Sequence, residues 1–373
     1  MAEVGGLPGS LDESLRHQPR ARLALGAALA SGPSHAYLFR GPHGSGKREA
    51  ARAFAAELLS HGAADPGDAR RRALLDPSPH PDLVWLVPRG AQHLVEEVRE
   101  TVIRGAAYRP FEGGRRVFVI EDAEALRDES QNALLKTLEE PPDFAHLLIL
   151  SSEPELLLET IVSRCQPIDF GPLPATAVEE ALAADANTEE AAAAARLAGG
   201  DLGRARSLVG DRGRDMRARA EACAAAAVEG ADGSAAWREL LAVAEDAGAE
   251  AEDNIRERLA AEAETGAKRT AREVNEEARR AGRRRRTDVL ELGLGLCASW
   301  FRDLAVVASG AEDVAFNRDR IEALRAQAER VDAMQARSAV ELVADTLRRF
   351  ELNVSEELAL EALAARLRRA LGG

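Results

Sequence analysis

Over its first 170 residues the chain alternates short apolar runs with stretches in which apolar positions recur every three or four residues. His35 to Phe39, Leu83 to Val87, Arg116 to Ile120, Leu147 to Leu150 and Ile168 to Phe170 are the short runs, and each predicts a strand. Arg116 to Ile120 is apolar almost throughout, the pattern of a strand buried on both faces, and it ends at the carboxylates Glu121 and Asp122. Between the runs, residues 19–31, Arg48 to Leu59, Leu94 to Ile103 and Gln131 to Leu138 carry helical spacing. In the second of these, Ala51, Phe54, Ala55 and Leu58 form the apolar face. His61 to Pro79 is polar and rich in Gly, Pro and Arg, and predicts a loop with at most one helical turn. Strands alternating with helices predict a parallel sheet covered on both faces.

Pro172 and Pro174 end this pattern. Thr176 to Val209 reads as a small helical unit, and everything from Gly210 onward reads as helix. Leu290, Leu294, Cys297, Phe301 and Leu304 form one stripe, with Cys297 as a small core residue. Val340, Val343, Leu347 and Phe350 form a second, and Leu360, Leu363 and Leu367 a third. Glu250 to Arg286 is charged and apolar-poor, which fits a solvated helix or a mobile linker. The expected fold class is therefore α/β followed by all-α, divided as residues 1–172, 173–210 and 211–373.

Composition narrows the function classes. The 373 residues carry a net charge of −14, so the chain does not read as a stand-alone grip on nucleic acid, which rests on Lys and Arg. Its three cysteines are far apart and odd in number, which argues against a disulfide framework or a four-cysteine zinc site and fits a reducing cytoplasm. Met1 to Glu13 has no basic start and no apolar run, so no signal peptide is expected, and no membrane span is expected anywhere.

Three motifs carry candidate chemistry. Gly41-Pro42-His43-Gly44-Ser45-Gly46-Lys47-Arg48 follows a strand and opens a helix, the layout of a phosphate-cradling P-loop. Gly41, Gly44, Gly46 and Lys47 are the candidate phosphate contacts. Arg48 stands where a Ser or Thr would bind magnesium, and it offers no metal ligand. Glu121-Asp122 is the second motif. An ATPase of this layout places Asp first, for the metal, and Glu second, for water, and here the order is reversed. No metal and no cofactor is expected to work in this chain, with ATP in the degenerate loop as the alternative. The third motif is Ser163-Arg164-Cys165. It follows the fourth core strand after a short helical insert, where a ring-forming ATPase can aim an Arg at its neighbour's nucleotide.

Together these residues resemble the clamp-loader subunits of bacterial DNA polymerase III. The likeness runs through His35 to Phe39, His80-Pro81-Asp82, the Asn132 to Pro142 run and Ser163-Arg164-Cys165, and more loosely through Trp300 to Leu304 and the Asn353 region. The motor subunits of that family would have Gly-Lys-Ser/Thr, Asp-Glu and a zinc module. This chain lacks all three, so among them it resembles the delta prime subunits. The resemblance implies an AAA+ fold: a RecA-like P-loop domain with a parallel sheet, a small helical lid and a C-terminal helical collar. It also implies a hetero-oligomeric ring with the gamma/tau motor subunits and delta, loading the sliding clamp on primed DNA. Arg164 would be an arginine finger acting in trans, with Ser163 and Cys165 as its motif neighbours. Glu121 and Asp122 would be a degenerate Walker B pair, and Ser151 or Ser152 would stand at a polar sensor position. Arg204 is expected as a solvated side chain rather than a second sensor.

Two other readings remain. A self-sufficient ATPase motor needs the groups that positions 48, 121 and 122 lack. A direct DNA binder would use Arg279, Arg280 and Arg283 to Arg286, although a charge run is usually a solvated face.

Overall fold

The computed structural model describes residues 7–88, 92–230, 234–264, 270–350 and 354–371. The Asn353 region and residues 265–269 of the charged stretch lie outside them. The chain divides into two compact units, Met1–Ala177 with Gly200–Leu202, and Val178–Gly199 with Gly203–Gly373. Residues 178–199 and 203–210 of the anticipated lid fall in the second unit.

The first unit is built on five parallel strands: β1 (Ala36–Arg40), β2 (Leu83–Leu86), β3 (Arg116–Ile120), β4 (Ala145–Ser151) and β5 (Gln166–Asp169). Their order is β2-β3-β4-β1-β5. The α/β class and the parallel sheet anticipated from sequence are both found. Strand residues alternate between the two faces. Tyr37, Phe39, Val117, Val119, Leu148 and Leu150 point into one core with Leu11, Leu15, Leu25, Phe54 and Leu58. Leu38, Phe118, Ile120, Leu147 and Ile149 point into the other with Val98, Val102, Leu134, Leu138 and Ile161. Two filled faces are why these strands read as unbroken apolar runs. Tyr37 meets Phe54 edge-on at 5.1 Å, and Phe39 stacks on Phe170 at 5.5 Å.

The helices of this unit are α1 (Gly9–Ser14), α2 (Pro19–Ser31), α3 (Lys47–Ser60), α4 (Pro66–Leu74), α5 (Val95–Glu97), α6 (Asp128–Glu139) and α7 (Glu159–Val162). α5 continues as a π-helix over Val98–Arg104. The expected loop over His61 to Pro79 is corrected by α4. Asp65 caps that helix by accepting the Asp68 N–H at 3.0 Å, and Pro66 stands in its first turn. Its buried face is only Ala69 and Ala73, too small to mark a stripe. Arg70 ties it to α3 through both oxygens of Glu57, at 2.6 and 2.9 Å. α6 starts three residues earlier than its apolar spacing predicts, because Asp128 and Glu129 suit the positive end of a helix.

His80-Pro81-Asp82 precedes β2. Asp82 is fully buried, and its two carboxylate oxygens accept the N–H groups of Phe111 (2.8 Å) and Glu112 (2.7 Å). That clasp fixes the turn leading into β3.

The second unit is helical. α8 (Ala175–Leu182) and α10 (Leu202–Ser207) span the division between the units, and α9 (Thr188–Ala198) lies between them in sequence. α11 (Gly210–Val228), α12 (Ser234–Glu264), α13 (Ala271–Ala308), α14 (Ile321–Ala328), α15 (Ala333–Phe350) and α16 (Glu356–Leu371) follow. α13 is the axis, and the expected stripe Leu290, Leu294, Cys297, Phe301 and Leu304 is buried throughout. A capping box between Thr270 and Glu273 starts it. The described part of the charged stretch is helical. α12 and α13 run antiparallel there, with Leu240 against Gly293, Gly248 against Gly282, and Arg258 paired to Glu277 at 3.2 Å. Asp303, fully buried, accepts Arg302 Nη1 (2.7 Å) and the N–H groups of Phe316 (3.0 Å) and Asn317 (2.7 Å). Among the described residues no helix is long and apolar enough to cross a membrane.

Candidate functional site

In a parallel sheet the loops that follow the strands gather at one end. The loop after β1 is the P-loop. Gly41 has φ of 152°, and a Cβ there would lie 2.2 Å from the Phe170 carbonyl oxygen, so only glycine fits. Gly44 has φ of 64°, and a Cβ would lie 1.9 Å from Oδ1 of Asp201. The Asp201 carboxylate therefore rests on the crest of the loop, and the Leu202 N–H reaches the Gly44 carbonyl at 3.3 Å. Gly46 is left-handed and opens α3 at Lys47.

Lys47 is buried, with Nζ donating to the carbonyls of Gly41 (2.5 Å) and Pro42 (2.7 Å) and to Ser152 Oγ (3.1 Å). An ammonium has three N–H bonds, so its donors are matched by these three acceptors. Burial pulls its pKa down to about 8, and Glu124, Asp122, Asp201 and Glu121 partly offset that. Of the two serines at the tip of β4, Ser152 is the one that faces Lys47. The Ser151 hydroxyl accepts the Glu153 N–H at 3.2 Å.

Arg48 turns to the strand tip. Its Nε lies 3.1 Å from Oε2 of Glu121 and its Nη2 lies 3.1 Å from Oδ2 of Asp76. Trp85 Nε1 donates to the same Glu121 oxygen at 2.8 Å. Both Arg48 and Arg52 lie over the Trp85 ring, at 5.6 and 4.3 Å. Asp122 has φ of 49°, the single non-glycine positive φ among the described residues, so the chain turns sharply after Glu121. The carbonyl of Glu121, just before it, accepts His93 Nε2–H at 2.8 Å. Burial lowers the His93 pKa, so the ring is a neutral donor there. Among the described residues no group of three or more His, Cys, Asp or Glu is arranged to hold a metal ion.

The sheet brings Gly41, Gly44, Gly46, Lys47, Glu121 and Asp122 to one end. It does not bring Ser163, Arg164 and Cys165 there. Gln166 pairs with Tyr37, four residues before Gly41. Roughly 13 Å of strand separates those levels, and Arg164 lies beyond the far one. Cys165 is buried in the second core, and burial pushes its thiol up to about 12. Ser163 donates its hydroxyl to the Thr160 carbonyl at 3.3 Å. Arg164, half-buried, donates Nη1 to the Thr160 carbonyl (3.0 Å) and Nη2 to Oε1 of Glu139 (2.7 Å).

Sequence reasoning missed Gln18. Its buried amide donates to the carbonyls of Ser45 and Gly171, both at 2.8 Å, and accepts the Gly171 N–H at 2.9 Å. The contact spans 153 residues, and no local pattern announces it. Asp201 and His93 were missed for the same reason. Arg204 corrects the expectation of a solvated side chain. Its guanidinium packs on α13, within 2.5 Å of where a Cβ on Gly295 would stand. In the basic run, Arg280 lies 3.7 Å from Glu276 and Arg286 lies 2.5 Å from Glu356.

A sequence profile of the family described as DNA polymerase III, delta subunit, matches residues 18–174. The DNA polymerase III subunit delta prime of Pseudomonas aeruginosa is 39% identical over 195 residues, which are 50% of this chain and 58% of that protein. The Escherichia coli delta prime is 34% identical over 180 residues, 47% of this chain and 52% of that one. The tau/gamma subunit of Haemophilus influenzae is 36% identical over 152 residues, 40% of this chain and 22% of that one. The match thus spans about half the length of the delta prime relatives. A solved gamma-subunit-related protein of Thermotoga maritima superposes with a TM-score of 0.45 at 15% identity, covering 94% of this chain and 99% of that one. The profile match takes in the P-loop, the Glu121-Asp122 tip and Ser163-Arg164-Cys165, and over this first part the chain is similar to DNA polymerase III delta prime and tau/gamma subunits.

Proposed function

We propose that this chain is a non-motor subunit of the DNA polymerase III clamp loader, and that it supplies Arg164 in trans to the ATP site of an adjacent motor subunit. The observation that carries this is the position of Arg164, at the opposite end of the strands from the chain's own P-loop. A guanidinium there serves no phosphate held by Gly41 to Lys47, yet it stands at the surface with donors to spare. Fingers of this kind raise turnover by about 10³–10⁵ in other phosphoryl-transfer systems.

The residues of the chain's own loop do not fit a magnesium nucleotide. Lys47 has its donors matched by loop carbonyls and Ser152, and Asp201 lays a carboxylate on Gly44. Arg48 brings a cation to the place of a metal ligand and neutralises Glu121. In this reading the loop is a structural turn, the partners are gamma/tau and delta, and the clamp and primed DNA are met through the assembled ring in the cytoplasm.

The test is reconstitution with motor and delta subunits. Arg164→Ala should lower DNA-stimulated ATP turnover while the ring still assembles, and unchanged turnover and clamp loading would refute the role. The alternative, a self-sufficient motor, requires robust turnover by the isolated chain that Lys47→Ala abolishes.

A further inference from the structure

We propose that Glu139 is the positioning residue for Arg164, a reading that rests on the finger role argued above. Glu139 is the last residue of α6 and is followed by Glu140 and two prolines. The carbonyl end of a helix disfavours a carboxylate and favours a cation, so an acid at this place works against its own helix. What it gains is Arg164. Oε1 of Glu139 accepts Nη2 at 2.7 Å, and the Thr160 carbonyl accepts Nη1 at 3.0 Å.

The guanidinium is thereby held at two points, one on the end of α6 and one on α7. Two points fix both the direction and the plane of a rigid, flat group. Two of its five N–H bonds are spent on these acceptors, and three remain for an oxyanion. The side chains are 35% and 50% exposed for Arg164 and Glu139, so the pair is bathed by solvent and holds the Arg only weakly in energy. Its contribution is orientation. Without it, Arg164 has to be ordered anew each time a neighbour's phosphate presents itself, and small misplacements are costly in rate. Glu139 touches no reacting atom. It acts through Arg164 alone.

The experiment uses the reconstituted complex with Arg164→Ala, Glu139→Ala, Glu139→Gln and the Arg164→Ala/Glu139→Ala double variant. Expected for Glu139→Ala is a fall in kcat of about ten-fold, within the range that small misplacements produce, with KM for ATP unchanged. Glu139→Gln, which keeps an acceptor oxygen at the same reach, should recover part of the loss. The double variant should be no slower than Arg164→Ala, because Glu139 has no other route to the reaction. If Arg164→Ala is slow and Glu139→Ala runs at the unmodified rate, this proposal falls and the finger stands. If Arg164→Ala has no effect, the finger fails and takes this proposal with it. A Glu139→Ala loss that persists in the Arg164→Ala background shows a structural role instead. Should Glu139→Ala not assemble, the isosteric Glu139→Gln decides: a rate equal to that of the unmodified ring overturns the proposal.

Discussion

Arg48 and Glu121 form an ion pair, Nε to Oε2 at 3.1 Å, across the gap where a P-loop ATPase would bridge its hydroxyl and its strand-tip acid through a metal ion. A direct contact replaces a mediated one. Arg48→Thr would return the hydroxyl type, but the acids at positions 121 and 122 would still be in reversed order. The expected outcome is no gain of ATP turnover and a stability loss of at most about 1 kcal/mol, since exposed pairs contribute little. Phosphate release and urea unfolding measure the two, and turnover at a motor subunit's rate would contradict it.

Asp82 gives a sharper stability prediction. Its buried carboxylate takes two backbone N–H groups, and Asp82→Ala would leave both without a partner. A loss of about 3 kcal/mol is expected, with Asp82→Asn losing roughly half as much. A shift in urea midpoint corresponding to less than about 0.5 kcal/mol for the Ala variant would show that water satisfies the turn instead.

Lys47 imposes a pH dependence. Its folded pKa is about 8 against an ordinary 10.5, so between those values the unfolded chain binds more protons at this position. Its contribution to stability therefore rises with pH across that window, and below pH 8 the cost of burying the charge is fully present. Cys165 works the other way. Its thiol is raised to about 12 from 9.0, so its contribution falls once the unfolded thiol ionises above pH 9. Between pH 8 and 9 the Lys47 trend is least masked by Cys165. Subtracting the stability of Lys47→Met from that of the unmodified chain at each pH should leave a rising difference. A flat difference would mean that Lys47 is better solvated than its surroundings indicate.

Gly44 and Asp201 make a paired prediction. Gly44→Ala should destabilise by about 1–3 kcal/mol, from a strained φ and a Cβ driven into Asp201. Asp201→Ala should not rescue it, because the new Cβ would still lie 2.7 Å from the Asp201 Cα. Full recovery in the double variant would show that only the carboxylate, and not the backbone, closes on the loop.

The parts of this molecule that could be read from sequence are those whose cause is local. β3 and β4 are apolar on successive residues because both faces of the sheet are covered, and the glycines of the P-loop mark a turn that other residues cannot make. α4 had a local cause too, the Asp65-Pro66 start, but alanines alone line its buried face and its arginines mask the period. The remaining site geometry has no local cause. Gln18 meets Gly171, Arg48 meets Glu121 and Glu139 meets Arg164 only after the sheet has assembled, across separations of 153, 73 and 25 residues. Sequence could say that Arg48 is no metal ligand. It could not say what the guanidinium would hold instead.

The buried leucines of α1 set a boundary of their own. The matched family profile begins at residue 18, yet Leu11 and Leu15 are fully buried in the core beneath α3. A chain trimmed to the start of the likeness would leave two leucine-sized holes, each worth about 2–5 kcal/mol by the usual large-to-small scale. It would also expose the apolar wall that α1 covers to solvent and to other chains. For this protein, the profile match and the packed core begin at different residues, and a fragment meant to stay soluble has to respect the second.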